Sequence, residues 1–370
     1  MVRQALLGMD LQALQQVAAE AGLPRYAARQ LAHWLYVKHV TSVDEMTNLP
    51  KTGRERLKER YEVGGMEPVK CVTSTDGTVK YLFPTSRDCY VETVLIPECG
   101  RGGPMMQTGR SLDEPKHFAI TAVPRERRTV CVSTQVGCRM NCLFCQTGKQ
   151  GFQGNLTAGD ILSQVRWAVL EGGVDNVVVM GQGEPLDNLD ELLRALQVMT
   201  ADWGYGWSPR RITVSTVGLR KGLQRFVEES ECHLAVSLHS GVPEVRRELM
   251  PAERQMSIAE VVALLRRYDF SHQRRLSFEY LMLRGRNDSM EDARTVLRLL
   301  RGMSCRVNLI RWHHVPGVPL EGTDEAGVLA FRDYLTRHGL FTTIRASRGE
   351  DIQAACGMLI TSQRKEKSKN

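Results

Sequence analysis

Over the first 62 residues, apolar positions recur at the three-to-four-residue spacing that places side chains on one face of a helix. Leu11, Leu14, Val17 and Ala18 form one such set. Ala27, Leu31, Trp34 and Leu35 form a second, and Val43, Met46 and Leu49, after Ser42, a third. The pattern predicts a helical accessory domain over residues 1–65. The period then changes. Residues 69–83, VKCVTSTDGTVKYLF, alternate on either side of Asp76-Gly77, a hairpin turn pair, and YVETVLIP at 90–97 reads as a further strand. Residues 98–127 are rich in Gly, Pro and charge and read mostly as loop, so 66–127 is expected to be a strand-and-hairpin linker with a long loop.

From 128 to 360 a rhythm of short apolar runs and helical patterns appears. The strand candidates are 129–136, 175–181, 211–217, 233–239, 275–283, 306–312 and 341–347. Helical patterns lie between them at Thr157–Glu171, Leu189–Met199, Ile258–Tyr268, Glu291–Arg301 and Glu325–Arg337, with Thr157 placed as an N-cap. Seven strands alternating with helices predict an α/β architecture with a parallel sheet. A complete eight-unit barrel is one solution, but the count favours a partial (β/α) barrel. Chemistry in such folds gathers at the C-terminal strand ends.

Composition adds bounds. The 370 residues suit two domains, or one large domain with an appendage, and 42% apolar with 25% charged residues excludes a disordered chain, a fibre and a coiled coil. No run approaches the roughly 18 apolar residues of a membrane span, and the polar start is unlike a secretory signal. Net charge is +7, and the tail 361–370 contributes four Lys/Arg against one Glu. This is compatible with a nucleic-acid partner, though many enzymes share such a balance. Residues 1–75 hold ten Lys/Arg and eight Asp/Glu, a balance that serves an RNA-contacting domain and a packing domain equally well.

Ten cysteines are too dilute for a disulfide scaffold, so some thiols are expected to be free, ligating or catalytic. Three crowd together as Cys138-x3-Cys142-x2-Cys145, directly after a strand. Three thiolates from one loop can hold an iron–sulfur cluster and leave one iron open. Zinc usually takes a fourth Cys or His, often from a second CxxC hook, and none is present; a three-thiolate catalytic zinc and three unconnected buried thiols stay open. Gly181-Gln182-Gly183-Glu184-Pro185 follows an apolar run, where glycines let backbone approach a ligand and a carboxylate can meet an ammonium group; a capping Glu184 is the plain alternative.

The flanks of the cysteine loop narrow the reading. VCVSTQVGCRMNCLFCQTGKQGFQGNLTAGDILSQV, with VETVLIPE at 91–98, VVMGQGEPLDN at 178–188, ITVSTVGL at 212–219, LAVSLHS at 234–240 and RGEDIQAACG at 348–357, resembles the RlmN/Cfr family of radical SAM RNA adenine methyltransferases. The segment LPRYAARQLAHWLYVKHVTSVDEMTNLPK resembles that family's helical accessory domain. The likeness runs collinearly through nearly the whole chain, apart from the loop near 99–127 and the tail.

The resemblance implies a partial barrel of radical SAM type, a [4Fe-4S] cluster on Cys138, Cys142 and Cys145, and S-adenosylmethionine held by Gly183, Glu184, Ser215, Ser237, Leu238 and His239. It also places His313 among the cofactor contacts, where the family carries Asn; Arg311 and His314 stand where it carries prolines. Cys356 matches the cysteine that becomes S-methylated, and Cys131 the thiol that resolves the enzyme–RNA adduct through a transient Cys131–Cys356 disulfide. Glu92 matches a proton acceptor, although a strand carboxylate paired with Lys or Arg would look the same.

The implied activity is methylation of an adenine carbon, C2 in the RlmN pattern, in rRNA and in tRNA. Such a carbon is electrophilic and lacks an acidic proton, so a radical route replaces polar methyl transfer. A C8-specific Cfr-like enzyme, a radical SAM enzyme with a non-RNA substrate, and a non-enzymatic RNA-binding protein with a structural metal are the alternatives. The expected setting is cytoplasmic and reducing, with a flavodoxin-type one-electron reductase as partner, no membrane and a monomeric state.

Overall fold

The computed structural model describes residues 3–86, 89–98, 127–271, 274–315, 317–355 and 357–359. The N-terminal domain begins with strand β1 (Gln4–Ala5) and helix α1 (Leu11–Glu20), capped by the Asp10 carboxylate on the Ala13 amide. Helix α2 (Ala27–Tyr36) buries Leu31 and Leu35 against it. The third apolar set does not form one helix from Ser42. Val43–Glu45 make a single 3-10 turn under a Ser42–Glu45 capping box, and helix α3 (Lys51–Arg60) starts only after Pro50. Proline disfavours helical backbone at the preceding Leu49, which separates the two elements. Strand β2 (Tyr61–Glu62) then pairs in parallel with β1, so the two ends of the domain meet.

Strands β3 (Lys70–Thr73) and β4 (Val79–Pro84) form the hairpin expected around Asp76-Gly77, and β5 (Tyr90–Glu98) pairs antiparallel with β4. The three do not stand apart. Strand β6 (Arg127–Cys131) pairs with β5 and with the rest of the core, so that the 10-stranded sheet runs from these strands into the barrel without a break.

Strand β6 is shorter than its apolar run. After Val132 the chain leaves the ladder: the Gln164 side chain accepts from the Ser133 amide, and the Gln182 backbone carbonyl accepts from the Thr134 and Gln135 amides. Strand β7 (Gln135–Val136), helix α4 (Gln146–Gln150) and strand β8 (Gly154–Asn155) enclose the cysteine loop, with β7 and β8 paired. Helix α5 (Ala158–Leu170) follows its Thr157 cap, completed by Asp160 as a capping box. Then come β9 (Asn176–Val179), α6 (Leu189–Thr200), β10 (Ile212–Thr216), α7 (Arg220–Glu229), β11 (His233–Ser237), α8 (Pro243–Leu249), α9 (Ile258–Leu265), β12 (Leu276–Met282), α10 (Met290–Leu300), β13 (Arg306–Arg311), α11 (Glu325–Arg337) and β14 (Thr342–Ile344). Strands β6 and β9 to β14 are successive and parallel, as the sequence rhythm predicts, and the described sheet ends at β14 as an open edge. Helices α4, α7 and α8 are additions to the sequence reading.

Arg166 on α5 docks the N-terminal domain. Its guanidinium donates to the carbonyls of His39 at 2.8 Å and Val40 at 2.9 Å. No helix among the described residues is long and apolar enough to cross a membrane.

Candidate active site

Strand parity decides which side of the sheet carries chemistry. Residues paired across neighbouring strands share a face. Val177, Val214, Val236, Phe278 and Leu309 lie on the helix-covered face and are wholly buried in the main apolar core. The other face carries Cys131, Ser215, Ser237, Glu279, Asn308 and Arg345, linked through the registers of β6 and β9 to β14. A cavity of about 580 Å³ opens on this face, a size typical of small-ligand sites. It is lined by Cys131, Cys138, Cys142 and Cys145, by Gly183 and Glu184, and by Ser215, Ser237, His239 and His313. Ten of the residues singled out from the sequence thus meet around one space.

Local structure aims the cysteine loop inward. Asn141 adopts a left-handed φ of 49°, which asparagine tolerates, and turns the chain between Cys138 and Cys142. The Leu143 amide donates to the Leu249 carbonyl at 2.9 Å, anchoring the loop. Around it Met140, Val217, Met250, Leu281 and Leu283 form a separate apolar cluster. Burial pushes the Cys138 thiol up to about 12, partly offset by the Met140 amide, which points at its sulfur from 3.5 Å. Burial, reinforced by the Cys145 and Cys138 thiols, raises Cys142 well above the ordinary thiol range. Cys138, Cys142 and Cys145 are all free thiols. Among the described residues no group of three His, Cys, Asp or Glu side chains is gathered to hold a single metal ion.

Gly183 and Glu184 follow β9. Gly183 has φ +100°, and an added Cβ would lie 2.5 Å from the Gln135 side chain, so only glycine fits. Glu184 is buried, and its carboxylate accepts from the Thr216 hydroxyl at 2.5 Å, the Val217 amide at 3.0 Å and the Leu186 amide at 3.1 Å. Burial pushes it up to about 7 against those hydrogen bonds. It therefore caps the turn Pro185–Asn188 and faces the cavity as well. His239 is buried with φ 52°, and its ring lies edge-on to Phe144 at 4.7 Å. Burial, with the Arg246 charge second, lowers it to about 3, so the imidazole is neutral. Its Nδ1 accepts from the Leu281 amide at 3.0 Å, which leaves the proton on Nε2.

Comparison with known proteins agrees with this geometry. Residues 4–63 match the family model described as ribosomal RNA large subunit methyltransferase N-terminal domain, and residues 132–299 match the radical SAM superfamily. A protein of Bacteroides fragilis described as a probable dual-specificity RNA methyltransferase RlmN is 56% identical over 370 residues, covering 100% of both chains. The chain belongs to the RlmN family. It is thus a radical SAM, S-adenosylmethionine-dependent RNA methyltransferase. A dual-specificity RNA methyltransferase RlmN of Nitratidesulfovibrio vulgaris is 41% identical over 350 residues, covering 92% of this chain and 90% of the other. The crystal structure of a radical SAM methyltransferase from Sphaerobacter thermophilus superposes with a TM-score of 0.83 at 38% identity, covering 96% of this chain and 99% of that one.

For an RlmN-family chain the donor set fits both groups the family requires. Three uncommitted thiols in a largely apolar shell, one with a backbone N–H aimed at its sulfur, suit a cluster with an open iron. A buried carboxylate, a neutral imidazole and two strand-end serines across the same cavity suit an amino-acid and ribose ligand.

The remaining sequence candidates are placed differently. Leu238 is buried with the opposite parity to Ser237 and does not line the cavity; its carbonyl accepts from Arg246. Glu92 does not line it either. It shares the sheet face of Val94 and Cys131 and forms an ion pair with Lys80 at 3.1 Å. His313 lines the cavity with Nε2 2.8 Å from the Ser347 hydroxyl and Nδ1 3.5 Å from Glu350. Cys356 lies outside the described residues, as does Cys99, while Ala354, Ala355 and Gly357 line the cavity. Of the cysteines without a role, Cys232 is buried as a packing thiol and Cys71 is exposed.

Arg246 escaped the sequence reading. It is wholly buried, ion-paired with buried Glu253, and donates to the carbonyls of Val217 at 3.0 Å, Ser237 at 2.9 Å and Leu238 at 3.1 Å. It ties the ends of β10 and β11 together behind the cysteine loop. In the sequence it stands in PEVRREL, where Arg usually marks a solvated helix face. Glu279 was also missed. It is buried on the cavity face and bonded to Asn308 at 2.7 Å and Arg345 at 3.3 Å.

Proposed function

We propose that this chain methylates C2 of an adenine in ribosomal and transfer RNA, by way of a methyl group carried on Cys356. The observation that carries the reading is one cavity joining Cys138, Cys142 and Cys145 to Cys131 and to residues on both sides of position 356. The description of the relatives as dual-specificity RNA methyltransferases supports two classes of RNA substrate.

In this reading Cys138, Cys142 and Cys145 hold the four-iron cluster, and Gly183, Glu184, Ser215, Ser237, His239 and His313 hold S-adenosylmethionine. When bound, these groups supply the one-electron chemistry that a carbon without an acidic proton needs. The protein orients and shields. Glu184 would meet the ligand's ammonium group, and Gly183 would let the backbone approach. The Nε2–H of His239 and the two serine hydroxyls offer hydrogen bonds, with Leu238 supporting them through backbone alone. The apolar wall of Met140, Val217, Met250 and Leu281 excludes water from the reacting atoms. Cys131 packs with Val94, Ala354 and Leu359 and is the resolving thiol. Glu92, assigned as proton acceptor from the family match, stands on the cavity's sheet face beside Lys80 but outside the cavity lining, so the role would require it to reach the site from there. A flavodoxin-type reductase, a cytoplasmic setting and a monomeric state belong to the same reading.

Mass spectrometry of nucleosides from cells with and without the protein tests it. The expected product is 2-methyladenosine; 8-methyladenosine would move the assignment to C8. Cys356→Ala is expected to lower methylation at least a thousandfold, and full activity in that variant would overturn the cysteine-borne route. Glu184→Gln is expected to weaken S-adenosylmethionine binding about tenfold, which is about 1.4 kcal/mol, as read by calorimetry. An unchanged affinity would remove Glu184 from the binding set.

A further inference from the structure

We propose that the turn of the β3–β4 hairpin is a clamp that positions residues 347–355, the segment leading to position 356, at the cavity. The inference rests on the reading of Cys356 as the methyl-carrying residue. It assigns a role to residues 74–76, which lie outside both segments matched by family models.

After β14 the chain has no regular structure up to residue 355. Its internal bonds are short turns, Gln353 amide to Glu350 carbonyl and Ala354 amide to Gly349 carbonyl. Something else must place it. The hairpin turn does so through an exchange of carboxylates. Asp76 accepts from the Gly349 amide at 2.9 Å. In return Asp351 accepts from the Ser74 hydroxyl at 2.6 Å and the Thr75 amide at 3.1 Å. Partial burial opposes ionisation of Asp76, but the Gly349 amide and Thr78 outweigh it and bring the carboxyl down to about 2. The hydrogen bonds are therefore charge-assisted across the neutral range, and stronger than neutral ones.

Packing makes the fit close. Gly349 has φ +63°, and an added Cβ would lie 2.8 Å from the Ala354 Cβ and 3.0 Å from Thr78. Two further ties set the ends. His313 meets the Ser347 hydroxyl upstream. Downstream, the Gln146 amide donates to the Gly357 carbonyl at 2.8 Å, and the Thr147 hydroxyl to that of Leu359 at 2.7 Å. Gln146 and Thr147 directly follow Cys145. The chain on either side of position 356 is thus fixed to the cysteine loop on one side and to the hairpin on the other. Ser74, Asp76 and Asp351 are positioning residues and do not line the cavity.

The test uses full-length, cluster-loaded protein carrying Asp351→Ala, Ser74→Ala or Asp351→Asn. Asp351 is at the surface, so the fold should survive, and Ser74→Ala probes the same contact from the other side. Hydrogen exchange of 347–355 is expected to accelerate at least fivefold in both alanine variants, with exchange in β9 to β12 unchanged. Asp351→Asn keeps one acceptor and should fall between. Methyl occupancy of Cys356, read by intact-protein mass spectrometry after incubation with S-adenosylmethionine, is expected to drop at least fivefold. S-adenosylmethionine affinity should stay within twofold of the parent. Unchanged exchange in both variants, or faster exchange with unchanged methyl occupancy, would overturn the clamp. A parent protein whose Cys356 never gains a methyl would overturn the methyl-carrier reading instead, and exchange alone would then judge the clamp.

Discussion

Cys142→Ala should abolish iron loading, and with it S-adenosylmethionine cleavage and RNA methylation, while leaving the fold in place. In the proposed reading Cys142 would be the middle ligand of the loop, and it is the most deeply buried of the three thiols. Two remaining thiols cannot hold a cluster that takes three from this chain. The change removes one sulfur from a small apolar cluster, and a cavity of that size costs on the order of 1 kcal/mol. Loss of iron should therefore be separable from loss of structure. After anaerobic reconstitution the parent should hold about four irons per chain and the variant close to none, with thermal midpoints of the iron-free proteins within a few degrees. Equal iron in the two proteins would remove Cys142 from the ligand set.

Arg246→Met is expected to have the largest effect on stability, a loss of about 3–5 kcal/mol, because it breaks a buried pair from one side only. Glu253 would be left as a buried carboxylate whose remaining described partner is the Ile258 amide. The carbonyls of Val217, Ser237 and Leu238 would lose their shared donor at the ends of β10 and β11. Replacing both partners, as in Arg246→Met with Glu253→Met, should cost less than the single change, since no isolated charge is then buried. Urea unfolding of the iron-free proteins checks the order. A single variant within about 1 kcal/mol of the parent would mean that the pair carries little of the stability argued here. The consequence reaches the site, because those strand ends present Ser215, Ser237 and His239 to the cavity.

Much of the site was legible along the chain, for reasons that differ from residue to residue. The three thiols stood out because ligands from a single loop must be close in sequence. Leu238 shows what strand parity adds: its side chain lies on the opposite face from Ser237, which leaves only its backbone for the role the sequence suggested. Arg246 gave no such signal. A helix of the pattern PEVRREL is ordinarily exposed on its charged side, and only the packing of α8 against the ends of β10 and β11 buries it.

What the sequence determined by itself are the elements and their kinds: the helical first domain, the Asp76-Gly77 hairpin, the rhythm of seven parallel strands and the loop of three cysteines. These follow from backbone periodicity, turn chemistry and ligand spacing, all of which act over a few residues. The tertiary structure alone decided that β3 to β5 extend the barrel sheet, that Glu92 pairs with Lys80, and that Ser74 meets Asp351 across 277 positions. Such contacts depend on where packed elements come to rest, and no local pattern carries that information.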